Sequence, residues 1–273
     1  MRVKFWGVRG STPVAGPNYA KYGGHTSCVS VEIADDLVLV MDAGTGINEC
    51  GEDLIKRNFT KCHLFFSHFH LDHIIGLPFF KPLWTKDFEL TIYSPYFKDV
   101  ESFQRQISST IFSHPLFPVG PEAFGAKVIF KTLTTSHPLD LPHLTRVYTH
   151  TLNHPGSSFG FRVNALGKSC CYISDHEHTS DNVEADIVDF VRDTDLMIYD
   201  ACYTEEELAF KRGWGHSTFN HGIKLAQGSQ AKKLALFHDD YTHTDAMMDK
   251  IEQEAQKLMP RAFAARQGMV LDL

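Results

Sequence analysis

The sequence predicts an α+β protein in which two β-sheets pack together beneath covering helices. Short apolar runs typical of strands recur along the chain, separated by glycine, proline and Asn/Asp turns. The early strands follow one another directly, whereas the later strands mix with helical patterns, and this order fits two packed sheets covered by helices. No repeat, low-complexity segment or linker divides the sequence, so we expect one domain over residues 1–273.

Each predicted element is justified by its residue pattern. Apolar and β-branched runs bounded by turn residues predict strands at residues 3–8, 29–33, 37–41, 63–66, 90–93, 127–130, 159–163, 171–173, 197–199 and 234–237. Apolar residues at spacings of three and four predict helices at residues 97–112, 187–192, 218–227 and 245–258.

One segment does not fit either pattern. Residues 108–125 contain three prolines and three phenylalanines but few charges. Such a segment either packs on the core as an ordinary loop, or forms a lid or dimer contact beside a functional site. The sequence favours neither interpretation.

Charge and composition exclude several classes of protein. The formal net charge of −7 argues against stable binding to long nucleic acid, which depends on neutralisation of phosphates by Lys and Arg. A small anionic substrate remains compatible, because bound metal ions can reverse the local potential. The six cysteines show no Cys-x-x-Cys spacing, so we expect reduced, buried thiols. No signal peptide or membrane-spanning run is visible, so we expect a cytoplasmic protein without membrane contact.

A dense group of potential metal ligands follows the strand predicted at residues 63–66. His68, His70, Asp72 and His73 place four donor side chains within six residues. Imidazole nitrogens and carboxylate oxygens are ligands that first-row divalent metals prefer. At the end of a strand, His68 and His70 would point the same way because side chains alternate with a period of two. Asp72 and His73, in the following turn, could reach a second ion. A solvated histidine-rich loop is the alternative, and the spacing favours the metal site.

A site for two ions needs more ligands than this motif supplies. His154 precedes a predicted strand, while Asp175 and His238 each follow one. A lone histidine at a strand end is more often a hydrogen-bonded structural residue. Three such residues in addition to the existing cluster favour the metal interpretation.

Three further motifs give the chain a family resemblance. Residues 5–13 are Phe-Trp-Gly-Val-Arg-Gly-Ser-Thr-Pro, residues 22–28 are Tyr-Gly-Gly-His-Thr-Ser-Cys, and residues 42–46 are Asp-Ala-Gly-Thr-Gly. With the ordered metal motifs, they resemble the metallo-β-lactamase superfamily, in the phosphodiesterase branch that includes ribonuclease Z-like enzymes and cyclic-nucleotide phosphodiesterases. The resemblance covers nearly the full length. It implies an αββα sandwich of two mixed β-sheets flanked by helices, with metals at one edge of the sheets.

The resemblance also implies which residues hold two divalent metal ions. The ligands fall into two groups joined by a bridging carboxylate. One ion takes His68, His70 and His154, the other takes Asp72, His73 and His238, and Asp175 bridges both. Three imidazoles form an open site suited to activating water. We expect zinc or manganese, with iron as a further option, because metal availability often decides between them.

Two carboxylates and a histidine complete the expected site. Asp42 would hydrogen-bond a ligand imidazole and fix its orientation, although a turn-forming Asp fits equally well. By the resemblance, His216 is the general acid or a phosphate contact. The alternative is packing or capping at a helix entrance, with Ser217 as the N-cap. Asp200 either orients His216 or a metal ligand, or is a buried structural acid. We expect His216 and the metal-site residue Asp72 to be the catalytic residues.

Other histidines near these motifs receive weaker interpretations. His63 is expected to pack within its strand. His176 and His178 are expected to support the site or lie on the surface, because Asp-His-Glu-His shows no clear ligand geometry. His243 is expected either to contact substrate or to lie on the surface, and the surface position is favoured.

The expected reaction is hydrolysis of a phosphodiester. Two ions roughly 3.5–4 Å apart can bridge a hydroxide, polarise a phosphoryl oxygen and stabilise an in-line displacement. His216 would then protonate the leaving alkoxide, a contribution of about 10²–10⁴-fold in rate. The acidic charge, and a sequence without a Gly/Pro/Lys-rich arm, argue against transfer-RNA processing. We therefore expect a small cyclic phosphodiester, and among these a 3′,5′-cyclic nucleotide, as the small anionic substrate. The family resemblance implies a homodimer.

Other functions stay open at this point. A ribonuclease Z-like RNA 3′-processing endonuclease would share the metal site, and cyclic-phosphate phosphodiesterases of phosphonate pathways belong to the same branch. A non-catalytic nucleotide-sensing protein would keep the fold, although the full ligand set and His216 argue against it. Phe112, Phe117 and Phe124 could form a wall that stacks on a base, or could belong to the core.

Overall fold

The computed structural model describes residues 1–180 and 182–273 and shows two seven-stranded sheets. The first sheet contains β1 (Arg2–Gly7), β2 (Cys28–Ala34), β3 (Leu37–Met41), β4 (Lys61–Phe65), β5 (Glu89–Ser94), β6 (Lys127–Thr132) and β14 (Val270–Asp272). Its strand order is β14-β1-β2-β3-β4-β5-β6. Pairing is antiparallel from β14 to β3 and parallel from β3 to β6, so the sheet is mixed.

The second sheet repeats this division between parallel and antiparallel halves. It contains β7 (Leu139–Leu141), β8 (Thr145–Leu152), β9 (Ser158–Ala165), β10 (Lys168–Ile173), β11 (Leu196–Asp200), β12 (Leu234–Phe237) and β13 (Ala262–Ala264). Its strand order is β13-β12-β11-β10-β9-β8-β7. Strands β10 to β13 pair in parallel, and β7 to β10 pair antiparallel.

Helices cover the outer face of each sheet. The helices are α1 (Ile47–Lys56), α2 (Leu71–Ile74), α3 (Lys81–Trp84), α4 (Val100–Thr110), α5 (Ala185–Phe190), α6 (Glu205–Lys211), α7 (Phe219–Ser229) and α8 (Asp245–Leu258). Buried residues of α1, α3 and α4 pack on the first sheet. Buried residues of α5, α7 and α8 pack on the second.

A third apolar layer lies between the two sheets. Strand β3 shows how one strand serves two layers: Leu39 and Met41 pack between the sheets, whereas Val40 packs beneath the helices. This follows from the alternation of side chains along a strand. Phe161 and Phe237 enter the same layer from the second sheet. The architecture confirms the predicted α+β class and the αββα sandwich of two mixed sheets.

The predicted elements all overlap observed ones, and the differences lie at their ends and between them. The helix predicted at residues 97–112 is α4, and it begins later because the Asp99 side chain accepts a hydrogen bond from Ser102 N at 2.7 Å and caps it. The sequence pattern missed β7, β8, β13, β14, α1, α2, α3 and α6.

Three aromatic rings of the 108–125 segment belong to the core. Phe112 is buried, and its ring lies 5.6 Å from Phe117 and 4.9 Å from Phe124. Phe117 and Phe124 also contact the Trp84 ring. These edge-to-face contacts favour the interpretation that the rings belong to the core, and the base-stacking wall stays a prediction.

The cysteines behave as packing residues. All six are buried and free, as expected for reduced thiols. Burial raises the pKa of the Cys62 and Cys170 thiols well above the ordinary value, so both remain neutral. Among the described residues, no helix is both long enough and apolar enough to cross a bilayer.

Candidate metal centre

The potential metal ligands gather where strands of both sheets end. His68 and His70 follow β4 of the first sheet, while His154, Asp175 and His238 follow β8, β10 and β12 of the second. Because β10, β11 and β12 run parallel, their carboxyl ends lie at one edge of their sheet. The end of β4 meets this edge because the two sheets pack face to face. Residues far apart in sequence thereby become neighbours.

Four donor side chains form the first cluster. Its members are His68, His70, His154 and Asp175, and their ligand atoms lie within 4.8 Å of one another. The His154 Nε2 and His70 Nδ1 atoms are 3.0 Å apart. Asp175 Oδ2 lies 3.6 Å from both His68 Nε2 and His154 Nε2. His68 and His70 lie beyond the last residue of β4, so strand alternation is not what brings them together.

The second cluster shares Asp175 with the first. It contains Asp72 and His73, which lie in α2 rather than in a turn, together with His238. His73 Nε2 lies 3.3 Å from Asp72 Oδ2 and 3.2 Å from His238 Nε2. Asp175 Oδ1 lies 3.1 Å from His73 Nε2 and 3.3 Å from His238 Nε2. The two oxygens of Asp175 therefore face different clusters, as a carboxylate shared by two ions would.

The donor set fits divalent metal ions. Within the described residues, His68 Nε2 is buried without a hydrogen-bond partner, while its Nδ1 lies 3.0 Å from Ser67 Oγ. A buried polar atom without a protein partner is uncommon and requires an explanation. A lone pair directed at an ion supplies one here, since imidazole nitrogen is a preferred zinc ligand.

Three residues of the site have left-handed backbone conformations. The φ angles of Asp42, Asp175 and His238 are 60°, 56° and 64°. Each residue follows a strand, so the conformation turns its side chain away from the strand direction. Residues other than glycine rarely adopt this region, and such strain is concentrated at functional sites.

Asp42 lies beneath the second cluster and is fully buried. Its Oδ2 accepts hydrogen bonds from His73 Nδ1 at 2.7 Å, Tyr172 OH at 2.8 Å and Ser67 Oγ at 2.8 Å. Because His73 Nδ1 is the donor, its Nε2 faces the cluster. Asp42 thus contacts a ligand candidate, as the sequence suggested. Ser67 and Tyr172 were not expected, and their only sequence signal is that each lies close to a ligand in the chain.

Two glycines make room for ligand rings. A Cβ on Gly10 would lie 2.4 Å from the His238 ring, and one on Gly215 would lie 2.1 Å from His154 Nδ1. Gly215 also has a φ of 90°, and its carbonyl accepts a hydrogen bond from His154 Nδ1 at 2.8 Å. A side chain at either position would displace a ring of the site.

The histidines of the first cluster are held neutral. Burial, with a further contribution from the neighbouring His73, holds the pKa of His68 well below its ordinary value. Burial also lowers the pKa of His70 and His154. These imidazoles therefore keep a lone pair at neutral pH, which metal binding requires.

In the second cluster, nearby carboxylates raise the pKa of the histidines more than burial lowers it. Burial alone would lower the pKa of His73 and His238, but nearby carboxylates outweigh it. Asp175, Asp72 and Asp42 raise the pKa of His73 well above the ordinary range, and Asp175 and Asp72 raise that of His238 to about 9. The same pairing lowers the pKa of Asp175 and Asp72, although burial opposes it. The carboxylates of this cluster therefore stabilise positive charge on whatever group lies between them.

His216 stands beside both clusters. Its ring stacks on His238 with centroids 4.9 Å apart and lies 5.2 Å from His154. His216 Nδ1 donates a hydrogen bond to Asp200 Oδ2 at 2.9 Å. That bond leaves Nε2 as the nitrogen that can exchange a proton with a bound molecule.

The helix behind His216 is capped by another residue. Thr218 is the N-cap of α7, and its Oγ1 accepts a hydrogen bond from His221 N at 3.4 Å. The alternative in which Ser217 caps this helix is therefore wrong. Ser217 Oγ donates to the His176 carbonyl at 2.6 Å and ties the loop to the segment after β10.

His176 and His178 form a separate buried group with Glu184. Asn153 N donates to His176 Nδ1 at 3.2 Å, and Tyr199 OH lies 2.8 Å from His178 Nε2. His178 Nδ1 also contacts the Glu184 carboxylate. Since protein groups already engage these nitrogens, we interpret the group as supporting structure. The surface alternative is wrong for both histidines.

The predicted surface position of His243 is also wrong. The side chain is fully buried, and its Nε2 lies 3.0 Å from the Glu207 carboxylate. Glu207 lies on α6, a helix that the sequence pattern did not reveal. Without that helix, a histidine in a polar turn had no visible partner.

Similarity to known proteins extends over the whole chain. Residues 57–238 match the family described as "Beta-lactamase superfamily domain". A ribonuclease Z from Lactiplantibacillus plantarum is 23% identical, and the alignment covers 100% of this chain and 98% of that protein. The crystal structure of human tRNase Z, short form, is 22% identical with a TM-score of 0.66, covering 100% of this chain and 99% of that one. Zn²⁺-bound PqqB from Methylobacterium extorquens is 14% identical with a TM-score of 0.75, covering 100% of both chains.

Proposed function

The chain belongs to the β-lactamase superfamily and is a hydrolase of the metallo-β-lactamase fold, and from that premise we propose that it is a dinuclear metal-dependent phosphodiesterase. We propose a small cyclic phosphodiester as its substrate, specifically a 3′,5′-cyclic nucleotide. One observation carries the proposal. The two oxygens of Asp175 face two separate ligand clusters, and the hydrogen-bonded pair of Asp200 and His216 lies alongside.

We assign the metal ligands by cluster. One ion would be held by His68, His70 and His154 and the other by Asp72, His73 and His238, and Asp175 would contribute to both sites. Zinc or manganese fits this mixture of imidazole and carboxylate donors. When bound, such ions supply activation of water and polarisation of a phosphoryl oxygen.

The chain's own residues supply orientation and the proton. Asp42 accepts the His73 Nδ1 hydrogen and so directs Nε2 toward the site. Asp200 holds His216 by its Nδ1 hydrogen, and His216 Nε2 delivers a proton to the leaving oxygen. In the overall reaction one water is consumed: its oxygen forms a bond to phosphorus as the ester P–O bond breaks. The proton that the water releases restores the proton on His216.

Charge and exposed aromatic residues support a small nucleotide. The net charge of −7 does not favour a long polyanion. Trp214 is 62% exposed and Tyr241 is 44% exposed, and they lie close in sequence to His216 and His238 respectively. An exposed aromatic ring can stack on a nucleotide base, which supports the choice of a nucleotide. The homodimer that the resemblance implies stays a prediction.

A second candidate follows from the relatives. A protein named ribonuclease Z aligns with the whole chain, which favours an RNA 3′-processing endonuclease using the same ligands. The acidic charge counts against that substrate. The two candidates therefore differ in substrate size rather than in the chemistry of the site.

Hydrolysis of a substrate panel tests the proposal. The panel contains 3′,5′-cyclic AMP and GMP, 2′,3′-cyclic nucleotides, bis(p-nitrophenyl) phosphate and a precursor tRNA, each with zinc- or manganese-loaded protein. We expect turnover of a 3′,5′-cyclic nucleotide, reduced by about 10²–10⁴-fold in His216→Ala, because that substitution removes the proton donor.

The outcomes separate the candidates. Cleavage of the precursor tRNA alone would establish the second candidate and overturn the first. No turnover of any substrate by metal-loaded protein would contradict both and leave a non-catalytic nucleotide-binding role. Asp175→Asn serves as the control for metal dependence, since it removes the shared charge between the clusters.

A further inference from the structure

Glu177 is a buried carboxylate that the proposed chemistry does not use. It lies two residues after Asp175 and is 8% exposed. Its Oε1 and Oε2 accept hydrogen bonds from Gly213 N at 2.8 and 2.9 Å, and Oε2 also accepts one from Gly215 N at 2.7 Å. Hydrogen bonds from backbone amides to a carboxylate are short and strong. This side chain therefore binds the backbone of residues 213–215 through hydrogen bonds.

The backbone of residues 213–215 has a conformation that is typical of anion-binding loops. Gly213 and Gly215 have φ angles of 88° and 90°, which turn their amides toward one point. Successive amides arranged in this way form a concave nest for negative charge. Glycine adds no side-chain packing of its own. In this protein the Glu177 carboxylate occupies the nest and accepts hydrogen bonds from both amides.

The same loop holds two parts of the site. The Gly215 carbonyl accepts a hydrogen bond from His154 Nδ1 at 2.8 Å, which orients a ligand of the first cluster. The next residue is His216, which donates to Asp200. A shift of the loop would therefore move a metal ligand and the proton donor together.

The other end of the contact is fixed to the second sheet. Glu177 N donates to the Asn153 carbonyl at 2.9 Å, and Asn153 Nδ2 donates to the Glu177 carbonyl at 2.8 Å. Asn153 lies between β8 and β9, next to His154. Glu177 thus connects the segment after β8 to the 213–215 loop through hydrogen bonds at both of its ends.

We propose that Glu177 is a positioning residue that sets the place of His216 and His154 through the backbone of residues 213–215. Its catalytic consequence rests on the proposed function, whereas its effect on the loop does not. The segment Asp175–Glu177 would then have two roles: Asp175 would be shared by the metal sites, and Glu177 would align the proton donor.

A comparison of leaving groups tests the catalytic consequence. Glu177→Gln keeps the size of the side chain but turns an NH₂ group toward the amides, so at least one hydrogen bond is lost. With saturating zinc, we expect kcat on a cyclic nucleotide to fall about 10–100-fold with KM little changed. The loss on bis(p-nitrophenyl) phosphate should be smaller, because p-nitrophenolate leaves without a donated proton and so responds only to the displacement of His154. Glu206→Gln, the same change at an exposed position in α6, should alter neither.

Amide hydrogen exchange tests the loop directly. We expect faster exchange in a peptide covering residues 213–217 of Glu177→Gln, and unchanged exchange in Glu206→Gln. Glu177→Asp, which keeps the charge, should restore part of the protection. Unchanged exchange, or equal losses on both phosphodiesters, would overturn the proposal. If the wild-type protein hydrolyses neither compound, the proposed function fails, and the exchange result still decides the role of Glu177.

Discussion

Three histidines of this site each have one ring nitrogen hydrogen-bonded to a protein group, and the other ring nitrogen is then free to face a metal or substrate. Asp42 accepts the Nδ1 hydrogen of His73, and Asp200 accepts that of His216. The Gly215 carbonyl does the same for His154. Such bonds fix tautomer and ring orientation together. The chemistry of the site thus depends as much on these acceptors as on the imidazoles.

The substitution Asp200→Asn tests whether the acceptor behind His216 matters for catalysis. The variant should lower kcat on the preferred substrate by about 10²-fold, because His216 loses the carboxylate that accepts its Nδ1 hydrogen and orients the ring. Steady-state kinetics would give kcat and KM separately, and we expect KM to change little.

The double variant Asp200→Asn/His216→Ala controls for a purely structural effect. Since Asp200 acts through His216, the double variant should lose no more activity than His216→Ala alone. Losses that simply multiply would contradict the assigned role.

The sequence predicts some of these residues and misses others for a physical reason. His68, Asp175 and His238 could be found because each follows an apolar strand run, and strand ends converge at a sheet edge. Glu177 could not, since its partners are backbone amides of a distant glycine loop and leave no side-chain signal. The burial of His243 depends on Glu207, which is equally distant in the chain.

Among the elements, strands that are buried throughout were predicted well, and so was the long amphipathic helix α8 (Asp245–Leu258), whose observed bounds equal the predicted ones. The observed bounds of β3 and β12 equal the predicted ones, and both strands are buried throughout. In contrast, β8 (Thr145–Leu152) has exposed and half-buried residues among its buried ones, and α6 (Glu205–Lys211) has one buried residue. Short or half-exposed elements carry too few apolar residues for periodicity to reveal them.

Strand β4 contains a histidine whose titration should affect stability. Burial, together with the charges of Lys61 and Lys131, lowers the pKa of His63 to about 4 from an ordinary 6.5. Protonation therefore costs more in the folded than in the unfolded chain. The resulting stability is fully present above the unfolded pKa and is lost as the pH falls toward 4.

His63→Gln should weaken this dependence. We expect the variant to lose less free energy of unfolding than the wild-type protein between about pH 7 and about pH 5, measured by urea denaturation. His137→Gln, at an exposed histidine, provides the matched control and should follow the wild type. Parallel pH profiles for His63→Gln and the wild type would show that this histidine does not contribute.

At the scale of the whole molecule, the site joins the two sheets. His68 and His70 come from the first sheet, whereas His154, Asp175 and His238 come from the second. Their donor atoms include two imidazole nitrogens 3.0 Å apart and a carboxylate oxygen of Asp175 that lies 3.1 Å from His73 Nε2 and is buried from water. A ligand that binds only the folded chain stabilises it in proportion to the logarithm of its concentration. Bound ions should therefore act as a cross-link between the sheets.

Metal removal should lower the thermal stability of the whole protein. At free zinc about a thousand times its Kd, the expected stabilisation is about 4 kcal/mol, which corresponds to a rise in Tm on the order of 10 °C. Calorimetry of chelator-treated protein, before and after zinc is restored, measures that rise. Asp175→Asn should lose most of it, because Asp175 contacts both clusters. If the variant gains as much from zinc as the wild type, the stabilising ion binds elsewhere, and the two sheets are held by their apolar layer alone.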